Sequence, residues 1–535
     1  MSSMAIVAPP RGPGEWGNGG WLAPEEREAL DWATLARLSG WEVSVDATPD
    51  GRGDTWLVIA CDPDDLDERS VEVIADRLER EPVCVVTRAP SSGAPLAKLS
   101  GAVRTGAGTH RGQALCWTGP GAPERWWSGD PIDAARLSLR DGARTWATVK
   151  REPVIAVRRF GRGLVAALAF HPSAARDCDG AGTAVLRRLL VAGAGSPVAW
   201  LDFEGAVVLR MDDPGSSEAA YHRGWAHSRL GPAGWAEIGE QLARRRGRIS
   251  LGYVIGWVDD GDEAHGRLEI DGQTVPRVPG KIHPSPAVRY TDVAGVSPGR
   301  VHDLATQFAA ICSLRRSGLA EVELHGFTHV HPERERWAHD PERSEALGWY
   351  RELHEMKPGL DLLRPAVERF EHHWGTRPTT LIPPGDAFNA ETMRRALELE
   401  LDLVCSYYLA LRIDREWWWS QHVCSPYLTR AHKSWFTSGL PVVGYFHEHD
   451  VAVEDAGWFA ERLIEWESAG ARRFIDFRQL VDALACRPTV ELHEGEPGID
   501  LGRRSAWPVA VKSSARGRGT PIAEARRPTA SEAMQ

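Results

Sequence analysis

Beyond residue 200 the chain repeats one pattern, in which a short apolar run is followed by a polar loop and a longer amphipathic stretch. Short apolar runs rich in Val, Ile and Leu are typical of strands buried on both faces, and the longer stretches have a helical period. The predicted strands are 206–211, 249–254, 320–324, 379–382, 401–406, 442–446 and 473–475. The predicted helices include 235–245, 303–317, 364–374 and 390–399. About seven strand–helix units in series predict a distorted β/α barrel of the (β/α)7 type.

The first 200 residues also alternate between strands and helices. Strands are predicted at 55–60, 82–87, 153–157 and 163–170, and helices at 70–80 and 183–191. This order indicates an open α/β domain of the flavodoxin or amidotransferase type. From about residue 503 the chain is rich in Arg, Ala, Ser, Gly and Pro, which is typical of disorder. We therefore predict an α/β accessory domain over 1–197, a barrel over 198–490 and a disordered tail over 491–535.

Composition narrows the class of protein. With 535 residues, 42% of them hydrophobic and 26% charged, the chain is long enough for two or three globular domains. Its net charge of -11 argues against nucleic acid or an anionic membrane as partner. None of the eight cysteines forms a Cys-x-x-Cys pair, and free thiols in a reducing compartment are expected. The N-terminus lacks a signal-peptide pattern, and no apolar run is long enough to span a membrane. We expect a cytoplasmic protein with a small-molecule or glycan substrate, and a homo-oligomer is compatible with these features.

Two adjacent acids, Asp212 and Asp213, follow the apolar run 206–211, and a Pro-Gly pair ends that run. Adjacent carboxylates at a strand end are costly unless a positive charge lies between them, and a divalent metal is the usual source. Neighbouring side chains on a strand point to opposite faces, so the two acids need not share a role. One can bind the metal while the other accepts a proton. A solvated Asp turn is the structural alternative.

A loop with three histidines follows the predicted strand 320–324. His325 and His329 have the His-x-x-x-His spacing, of which about 0.7 cases are expected by chance in this composition. Their position after a strand is more informative than their spacing. A carboxylate and two imidazoles are a ligand set that suits zinc, with water in the open position. His331 is expected to support the metal ligands or the loop rather than to bind the metal, and Glu323 within the strand is a spare carboxylate.

Two later strand ends carry further polar groups. Pro384 and Gly385 belong to a rigid Pro-Pro-Gly turn that can line a substrate pocket, although an ordinary connection explains it equally well. His447 and His449 follow the sixth predicted strand, where a His can donate a proton to a leaving amine. A surface run of histidines is the alternative, and His447 is preferred because it is nearer the strand end. Four polar strand ends at one face of a barrel predict an active site there.

Tryptophan is unusually frequent, with 23 residues that include Trp225 and the run Trp417-Trp418-Trp419. Indole faces stack well on sugar rings. Most of these residues are expected to pack in the core, and a few in the barrel loops could line a pocket for a sugar-like substrate.

From about residue 200 to about residue 485 the chain resembles the polysaccharide deacetylase (NodB-homology, carbohydrate esterase family 4) superfamily. That family has a distorted β/α barrel with an Asp-Asp motif, a His-x-x-x-His motif, a Pro- and Gly-containing motif and a late His. The resemblance implies Asp212 as the catalytic base and His447 as the late acid. It implies Asp213, His325 and His329 as the ligands of Zn²⁺ or of another divalent metal such as Co²⁺, Ni²⁺ or Mn²⁺.

The chain departs from the family pattern at two places. Arg210 and Met211 stand where the family usually has Thr-Phe before the two acids. Leu381 replaces the Arg that begins the Pro-Gly motif and supports the base in the family. These differences leave the implied metal ligands in place, but they leave Asp212 without its usual partner. The chain is therefore similar to a divergent branch of the family.

The N-terminal part is similar to the class I glutamine amidotransferase-like fold, in the non-catalytic versions attached to sugar-processing enzymes. The resemblance depends on Phe160-Gly-Arg-Gly163 before an apolar strand and on His171-Pro172 after it. An active amidotransferase needs a nucleophilic Cys at a Gly-x-Cys-x-Gly elbow, which the sequence lacks. An inactive accessory or docking domain is therefore implied.

Together, these residues predict a metal-dependent hydrolase, a deacetylase or amidohydrolase. It would remove an N-acyl (acetyl) group from a soluble amino sugar or a related biosynthetic intermediate. Asp212 would accept the proton of a metal-activated water, and His447 would protonate the leaving amine. Substrate contacts are expected from Pro384, Gly385 and His449. Two alternatives remain open: a non-catalytic carbohydrate-binding or scaffold protein with a relic metal site, and a metal hydrolase of another C–N or ester bond.

Overall fold

The structure is a computed structural model, and it describes residues 3–8, 24–46, 49, 55–171, 180–194, 198–337, 341–420, 423–486, 488–493, 496–500 and 509–512. A nine-stranded sheet and a ten-stranded sheet dominate these residues. The predicted boundary at residue 197 and Pro172 lie outside the described residues, so neither is tested. Within them, no helix combines the length and apolarity needed to cross a membrane.

The nine-stranded sheet is built from the N-terminal part of the chain. Its strands are β1 (Ser3–Val7), β2 (Glu42–Asp46), β3 (Trp56–Ile59), β4 (Cys84–Arg88), β5 (Ala102–Trp117), β6 (Glu124–Leu139), β7 (Arg144–Val149), β8 (Glu152–Phe160) and β9 (Gly163–Leu168). The spatial order is β2-β1-β3-β4-β9-β8-β7-β5-β6. The first five in this order run parallel, and β8 and β9 form an antiparallel hairpin. Its helices are α1 (Pro24–Leu38), α2 (Glu68–Arg80) and α3 (Ala181–Ala194).

The remaining strands belong to the second sheet and to small additions around it. They are β10 (Val198–Leu201), β11 (Ala206–Asp212), β12 (Ile249–Tyr253), β13 (Gly256–Val258), β14 (Gly266–Ile270), β15 (Gln273–Thr274), β16 (Ile282–Pro284), β17 (Val288–Asp292), β18 (Val301–Asp303), β19 (Ala320–Leu324), β20 (Thr380–Leu381), β21 (Leu403–Cys405), β22 (Leu409–Ile413), β23 (Glu416–Ser420), β24 (Val423–Pro426), β25 (Val442–His447), β26 (Arg473–Ile475), β27 (Thr489–His493), β28 (Glu496–Asp500) and β29 (Val509–Lys512). The ten-stranded sheet has the order β23-β22-β21-β20-β19-β12-β11-β25-β24, and β26 also pairs with β11.

Helices separate most of the parallel strands of the second sheet. They are α4 (Glu218–Tyr221), α5 (Pro232–Arg245), α6 (Leu304–Arg316), α7 (Pro341–Leu347), α8 (Leu363–Trp374), α9 (Ala390–Glu398), α10 (Lys433–Thr437), α11 (Glu448–Glu454), α12 (Ala456–Ala469) and α13 (Phe477–Leu484). Local sequence explains several ends. Asn389 begins α9 and Asp476 begins α13 with capping boxes, while α8 stops at Gly375 with a φ of 66°.

The seven strands predicted beyond residue 200 agree with the observed ones to within two residues at either end, but closure into a barrel is not confirmed. The hydrogen bonds between the described strands do not join the two ends of the ten-stranded sheet. At one end, β22 and β23 add an antiparallel meander that the sequence analysis did not predict. The established architecture is therefore a mixed α/β fold in which β20, β19, β12, β11 and β25 run parallel.

Three short segments that overlap the predicted tail, 491–535, are strands in the structure: β27, β28 and β29. β27 pairs with β28, and β29 pairs antiparallel with β10, so that Val198 lies opposite Lys512. Backbone hydrogen bonds make these pairs, and composition, on which the prediction depended, carries no information about such long-range pairing. Residues 513–535 of the predicted tail lie outside the described part of the chain.

Candidate metal centre

The two acids lie where β11 ends and the chain turns sharply. The backbone φ of Asp213 is 77°, a left-handed conformation that non-glycine residues rarely adopt. Gly215 follows with a φ of 87°, and a Cβ atom there would lie 2.4 Å from the carbonyl oxygen of Val254. The turn therefore depends on glycine at this position. Strained residues such as Asp213 persist only where the surrounding structure holds them, and they cluster at functional sites.

The histidine loop leaves β19 and is held by a buried carboxylate. Glu352 accepts hydrogen bonds from three consecutive backbone N–H groups, those of Phe327 (2.9 Å), Thr328 (2.7 Å) and His329 (3.1 Å). It also accepts one from the hydroxyl of Thr328 at 2.8 Å. His329 has a φ of 65°, so a second strained residue lies in the same centre. Glu352 thereby fixes the loop that carries both predicted histidine ligands.

The structure brings Asp213, His325 and His329 together. Oδ1 of Asp213 lies 3.1 Å from Nε2 of His325 and 3.2 Å from Nε2 of His329. One ligand atom from each residue lies within 4.8 Å of the other two, and all three side chains are buried. Two ligands of a tetrahedral zinc ion, each at about 2.0–2.1 Å from it, lie about 3.3 Å apart. This buried Asp-His-His group could therefore hold a metal ion.

The outer nitrogens of the two imidazoles fix the direction of their lone pairs. Nδ1 of His325 donates a hydrogen bond of 2.8 Å to the carbonyl oxygen of Ile382, and Nδ1 of His329 lies 2.6 Å from Oε2 of Glu218. A neutral imidazole that donates from Nδ1 carries a lone pair on Nε2. Neutral rings in this form would direct both lone pairs at the carboxylate of Asp213. A cluster of electron-pair donors needs a positive charge between them, so the donor set fits a divalent cation.

Charge within the centre shifts several pKa values. Burial disfavours the charged form of Asp213, but His329 and His325 hold its pKa well below its usual range. Burial also disfavours protonated His329, yet the carboxylates of Glu218 and Asp213 raise its pKa to about 9. Burial and then the charge of Asp213 raise the pKa of Glu218. The centre thus attracts positive charge, as a metal site does.

Asp212 has a partner that the sequence analysis missed. Arg210 donates from Nε to Oδ1 of Asp212 at 2.9 Å and from Nη2 to Oδ2 at 2.6 Å. The same guanidinium contacts Oδ1 of Asp386 at 3.3 Å and lies 4.9 Å from the ring centre of Tyr445. Residues i and i+2 of a strand share a face, which is why Arg210 and Asp212 can pair. The expectation that Leu381 leaves Asp212 without a partner is therefore corrected.

His447 lies next to Asp212, because the parallel register of β11 and β25 pairs these two residues. Its Nδ1 atom lies 3.3 Å from Oδ2 of Asp450, and its backbone N–H donates to the same oxygen at 2.8 Å. Burial disfavours the protonated ring, but the hydrogen bond with Asp450 and the charges of Asp213 and Asp212 raise the pKa of His447 to about 9. The geometry thus places a proton donor beside a carboxylate.

Aromatic rings surround His447. Trp225 lies 5.2 Å and Tyr427 lies 5.1 Å from its ring, measured between ring centres. His449 lies beside the same tryptophan at 5.1 Å and beside His227 at 4.9 Å. Tyr427 is 46% exposed and Trp225 is half-buried. Both residues therefore contact His447 and are also accessible to solvent.

The Pro-Pro-Gly turn packs against the histidine loop. A Cβ atom on Gly326 would lie 2.5 Å from Cγ of Pro384, so the two segments pack closely. Gly385 is exposed with a φ of 57°, and a Cβ atom on it would lie 2.1 Å from the ring of Tyr350. The turn is therefore specific for glycine on steric grounds. Substrate binding by Pro384, Gly385 and His449 stays a prediction.

Two residues of the sequence motifs lie outside the centre. His331 accepts a hydrogen bond from the backbone N–H of Glu333 at 2.9 Å and contacts Glu355 at 3.4 Å, which agrees with the structural role expected. Glu323, considered as a spare carboxylate, accepts a hydrogen bond of 2.7 Å from the backbone N–H of Thr380 and is a structural tie between strands.

The sequence analysis missed four residues of the centre: Arg210 and Glu218 near the acids, Glu352 behind the histidines and Asp450 beside His447. The period of two along β11 could have identified Arg210. The other three join the centre through loops or helix starts, whose contacts have no local sequence signal.

Comparisons with known proteins add little to this geometry. No protein-family model and no curated protein matches the sequence. Similar solved structures include a CE4 family pseudoenzyme from Bacillus anthracis, with 8% identity, a TM-score of 0.27 and coverage of 52% of this chain and 66% of that one. A mutant of it with restored enzymatic activity has 8% identity, a TM-score of 0.28 and coverage of 52% and 68%. An exo-beta-1,4-mannosidase from Opitutaceae bacterium strain TAV5 has 14% identity, a TM-score of 0.27 and coverage of 36% of each chain.

This chain thus spans about a third of the length of the mannosidase. TM-scores this low do not assign the chain to either family. What the structure itself establishes is a mixed α/β protein with a buried Asp-His-His group that could hold a metal ion.

Proposed function

We propose that this protein is a metal-dependent hydrolase that removes an N-acyl group, such as acetyl, from an amino sugar or a related small intermediate. The observation that carries the proposal is the combination of two adjacent sets of residues. Asp213, His325 and His329 form a group suited to a divalent cation, and Asp212 lies beside His447 in the neighbouring strand. A cation site next to a carboxylate and an imidazole is the equipment of metal-assisted hydrolysis.

A bound divalent cation would acidify a water molecule and polarise the acyl carbonyl. Asp212 is suited to accept the proton of that water, because its carboxylate is held in one orientation by Arg210. His447 is suited to donate a proton to the leaving amine, because Asp450 and the nearby acids favour its protonated form. The carboxylate of Asp212 is therefore proposed as the base, and the imidazole of His447 as the acid.

Aromatic rings support an amino sugar as the class of substrate. Trp225 and Tyr427 both lie beside His447, and both side chains are partly accessible to solvent. Indole and phenol faces pack against the apolar faces of sugar rings, and they also attract a cationic amine. A small ring that carries an acylated amine fits this combination of stacking surfaces and proton donor.

The test combines metal analysis and hydrolysis on the full chain. The expected result is about one equivalent of divalent metal per chain and release of acetate from N-acetylglucosamine, the probe substrate. Asp213→Ala and His325→Ala should each lose the metal and the activity together. Chelation should lower the thermal stability of the wild type, since a ligand at 100 times its Kd contributes about 2.7 kcal/mol.

Two results would contradict the proposal. A wild-type chain that binds no divalent metal, and whose stability is indifferent to chelator, would favour a non-catalytic carbohydrate-binding protein. A metal-loaded chain that cleaves esters or cyclic amides but no N-acetylated amine would favour a hydrolase of a different bond.

A further inference from the structure

The two histidines of the Asp-His-His group are supported by different chemical groups. His325 is held by the backbone carbonyl of Ile382, a neutral acceptor, at 2.8 Å. His329 is held by the carboxylate of Glu218 at 2.6 Å. An imidazole that contacts a carboxylate donates its electron pair to a metal more strongly than one that contacts a backbone carbonyl. The reason is that the negative charge of the carboxylate favours positive charge on the ring. The imidazoles of His325 and His329 therefore differ in their strength as electron-pair donors.

Glu218 reaches His329 through a short and rigid path. It is the first residue of α4 and follows Asp213 by five positions, so one segment delivers both carboxylates. That segment is pinned at Gly215, whose backbone N–H donates to Oε1 of Gln307 at 2.9 Å. Ser216 closes the turn with a backbone hydrogen bond of 3.1 Å to the carbonyl of Asp213. The position of Glu218 therefore follows from the same turn that sets Asp213.

The charge of Glu218 has a strong electrostatic effect because the side chain is buried. Glu218 is 1% exposed, and neither of its carboxylate oxygens has a hydrogen-bond partner of regular geometry within the described part of the chain. Oε2 instead makes the ion-pair contact of 2.6 Å with Nδ1 of His329. Two carboxylates, Asp213 and Glu218, lie beside the two imidazoles. Their combined charge equals that of a divalent cation with the opposite sign, so a bound cation would make the buried group neutral overall. Neutralising these buried charges lowers the free energy most where the surroundings have a low dielectric constant.

We propose that Glu218 is a positioning residue of the metal centre, which fixes the tautomer of His329 and tightens the binding of a divalent cation. This inference rests on the proposed function, since it concerns the same metal group. Residues that orient a metal-bound histidine in this way usually change metal affinity by about 10-fold to 100-fold when they are replaced.

The experiment measures the Kd for Co²⁺ by competition with a chelator, together with the visible absorption of bound Co²⁺ and the Tm of the metal-free chain. Glu218→Gln keeps the shape and loses the charge, and Glu218→Ala loses the contact as well. Glu355→Gln is the matched control, because Glu355 contacts His331 on the same loop but outside the metal group.

We expect the Kd for Co²⁺ to rise in the order wild type, Glu218→Gln, Glu218→Ala, with about 10-fold to 100-fold between first and last. The Co²⁺ spectrum should change in both Glu218 variants, and Glu355→Gln should match the wild type. The metal-free Tm of Glu218→Gln should change little, because the substitution removes a like-charged neighbour of Asp213 and a counter-charge of His329 at the same time.

Equal Kd values and spectra for the wild type and Glu218→Ala would overturn this inference while leaving the proposed function intact. A fall in metal-free Tm with an unchanged Co²⁺ spectrum would also overturn it, since that pattern indicates a structural role. A wild-type chain that binds no Co²⁺ would overturn both proposals.

Discussion

Arg210 and Asp212 form a bidentate ion pair inside the protein, with hydrogen bonds of 2.9 Å and 2.6 Å from one guanidinium to the two carboxylate oxygens. Both side chains are 2% exposed. The sequence placed an Arg where the resembling family has a Thr, and it lacked an Arg at residue 381. The structure relates these two differences from the family. Arg210 lies on the same strand as Asp212 and pairs with it, so Asp212 has an arginine partner although residue 381 is Leu. Asp386 shares that guanidinium and completes the buried group.

Loss of this guanidinium should destabilise the fold. Arg210→Met leaves Asp212 and Asp386 buried without a cation, and breaking one partner of a buried ion pair costs about 3–5 kcal/mol. Urea denaturation of the metal-free chain measures this cost. Arg244→Met is the control, because Arg244 makes an exposed ion pair with Glu240 that should contribute less than about 1 kcal/mol. Equal losses in the two variants would contradict the importance of the buried pair.

Asp212→Asn should separate metal binding from turnover. The amide keeps the size of the carboxylate but cannot accept a proton, so we expect a loss in kcat of about 100-fold to 10,000-fold. Metal content should match that of the wild type, because Asp212 is not part of the Asp-His-His group. Asp213→Asn is the comparison variant and should lose metal first. Full activity in metal-loaded Asp212→Asn would exclude Asp212 as the base.

The alkaline limit of activity should depend on Asp450. The pKa of His447 is raised to about 9, so the proton donor is present below that pH and is lost above it. Asp450→Asn removes one negative partner but retains an acceptor for the backbone N–H of His447. The pKa of His447 should therefore fall, and the alkaline limb of kcat/KM should move down by about one pH unit. Both proteins would hold the same cation, so the difference isolates the charge of Asp450. Superimposable pH profiles would rule out this role.

Glu352 should contribute more to the stability of the histidine loop than Glu355, a nearby acidic residue, does. In Glu352→Gln one carboxylate oxygen becomes an amide that cannot accept hydrogen bonds, which leaves backbone N–H groups of the loop unsatisfied. We expect a loss in unfolding free energy on the order of 2 kcal/mol, together with weaker metal binding. Glu355→Gln, at a partly exposed position on the same side, should stay within about 0.5 kcal/mol of the wild type. An unchanged stability in Glu352→Gln would refute the assignment.

Trp225 should affect substrate binding more than chemistry. Trp225→Ala removes a ring beside His447 that is placed to stack on a sugar, and a loss of about 1.4 kcal/mol corresponds to a 10-fold higher KM. The kcat value should change less. Trp127→Ala is the control, because Trp127 is 53% exposed on β6 of the other sheet. A KM equal to that of the wild type would argue against a stacking role.

Most strands and helices of the second sheet could be located from local sequence patterns. The predicted strands at 206–211, 320–324 and 473–475 match β11, β19 and β26 to within one residue. Periodicity is a local property, so side-chain patterns over a few residues were sufficient for these elements. The same local reading identified Asp213, His325 and His329 as candidates, because each follows a buried strand.

The groups that support those candidates could not be predicted from local patterns, because they come from distant parts of the chain. Glu218, Glu352 and Asp450 reach the centre from loops and helix starts, and their contacts depend on how distant segments return to one point. The pairing of Asp212 with His447 depends in the same way on the register between β11 and β25, which are separated by more than 200 residues. A side-chain pattern fixes which face of a strand is buried, but it does not fix which strand lies next to it. Closure of the sheet and the partners of each ionisable group therefore depend on long-range packing.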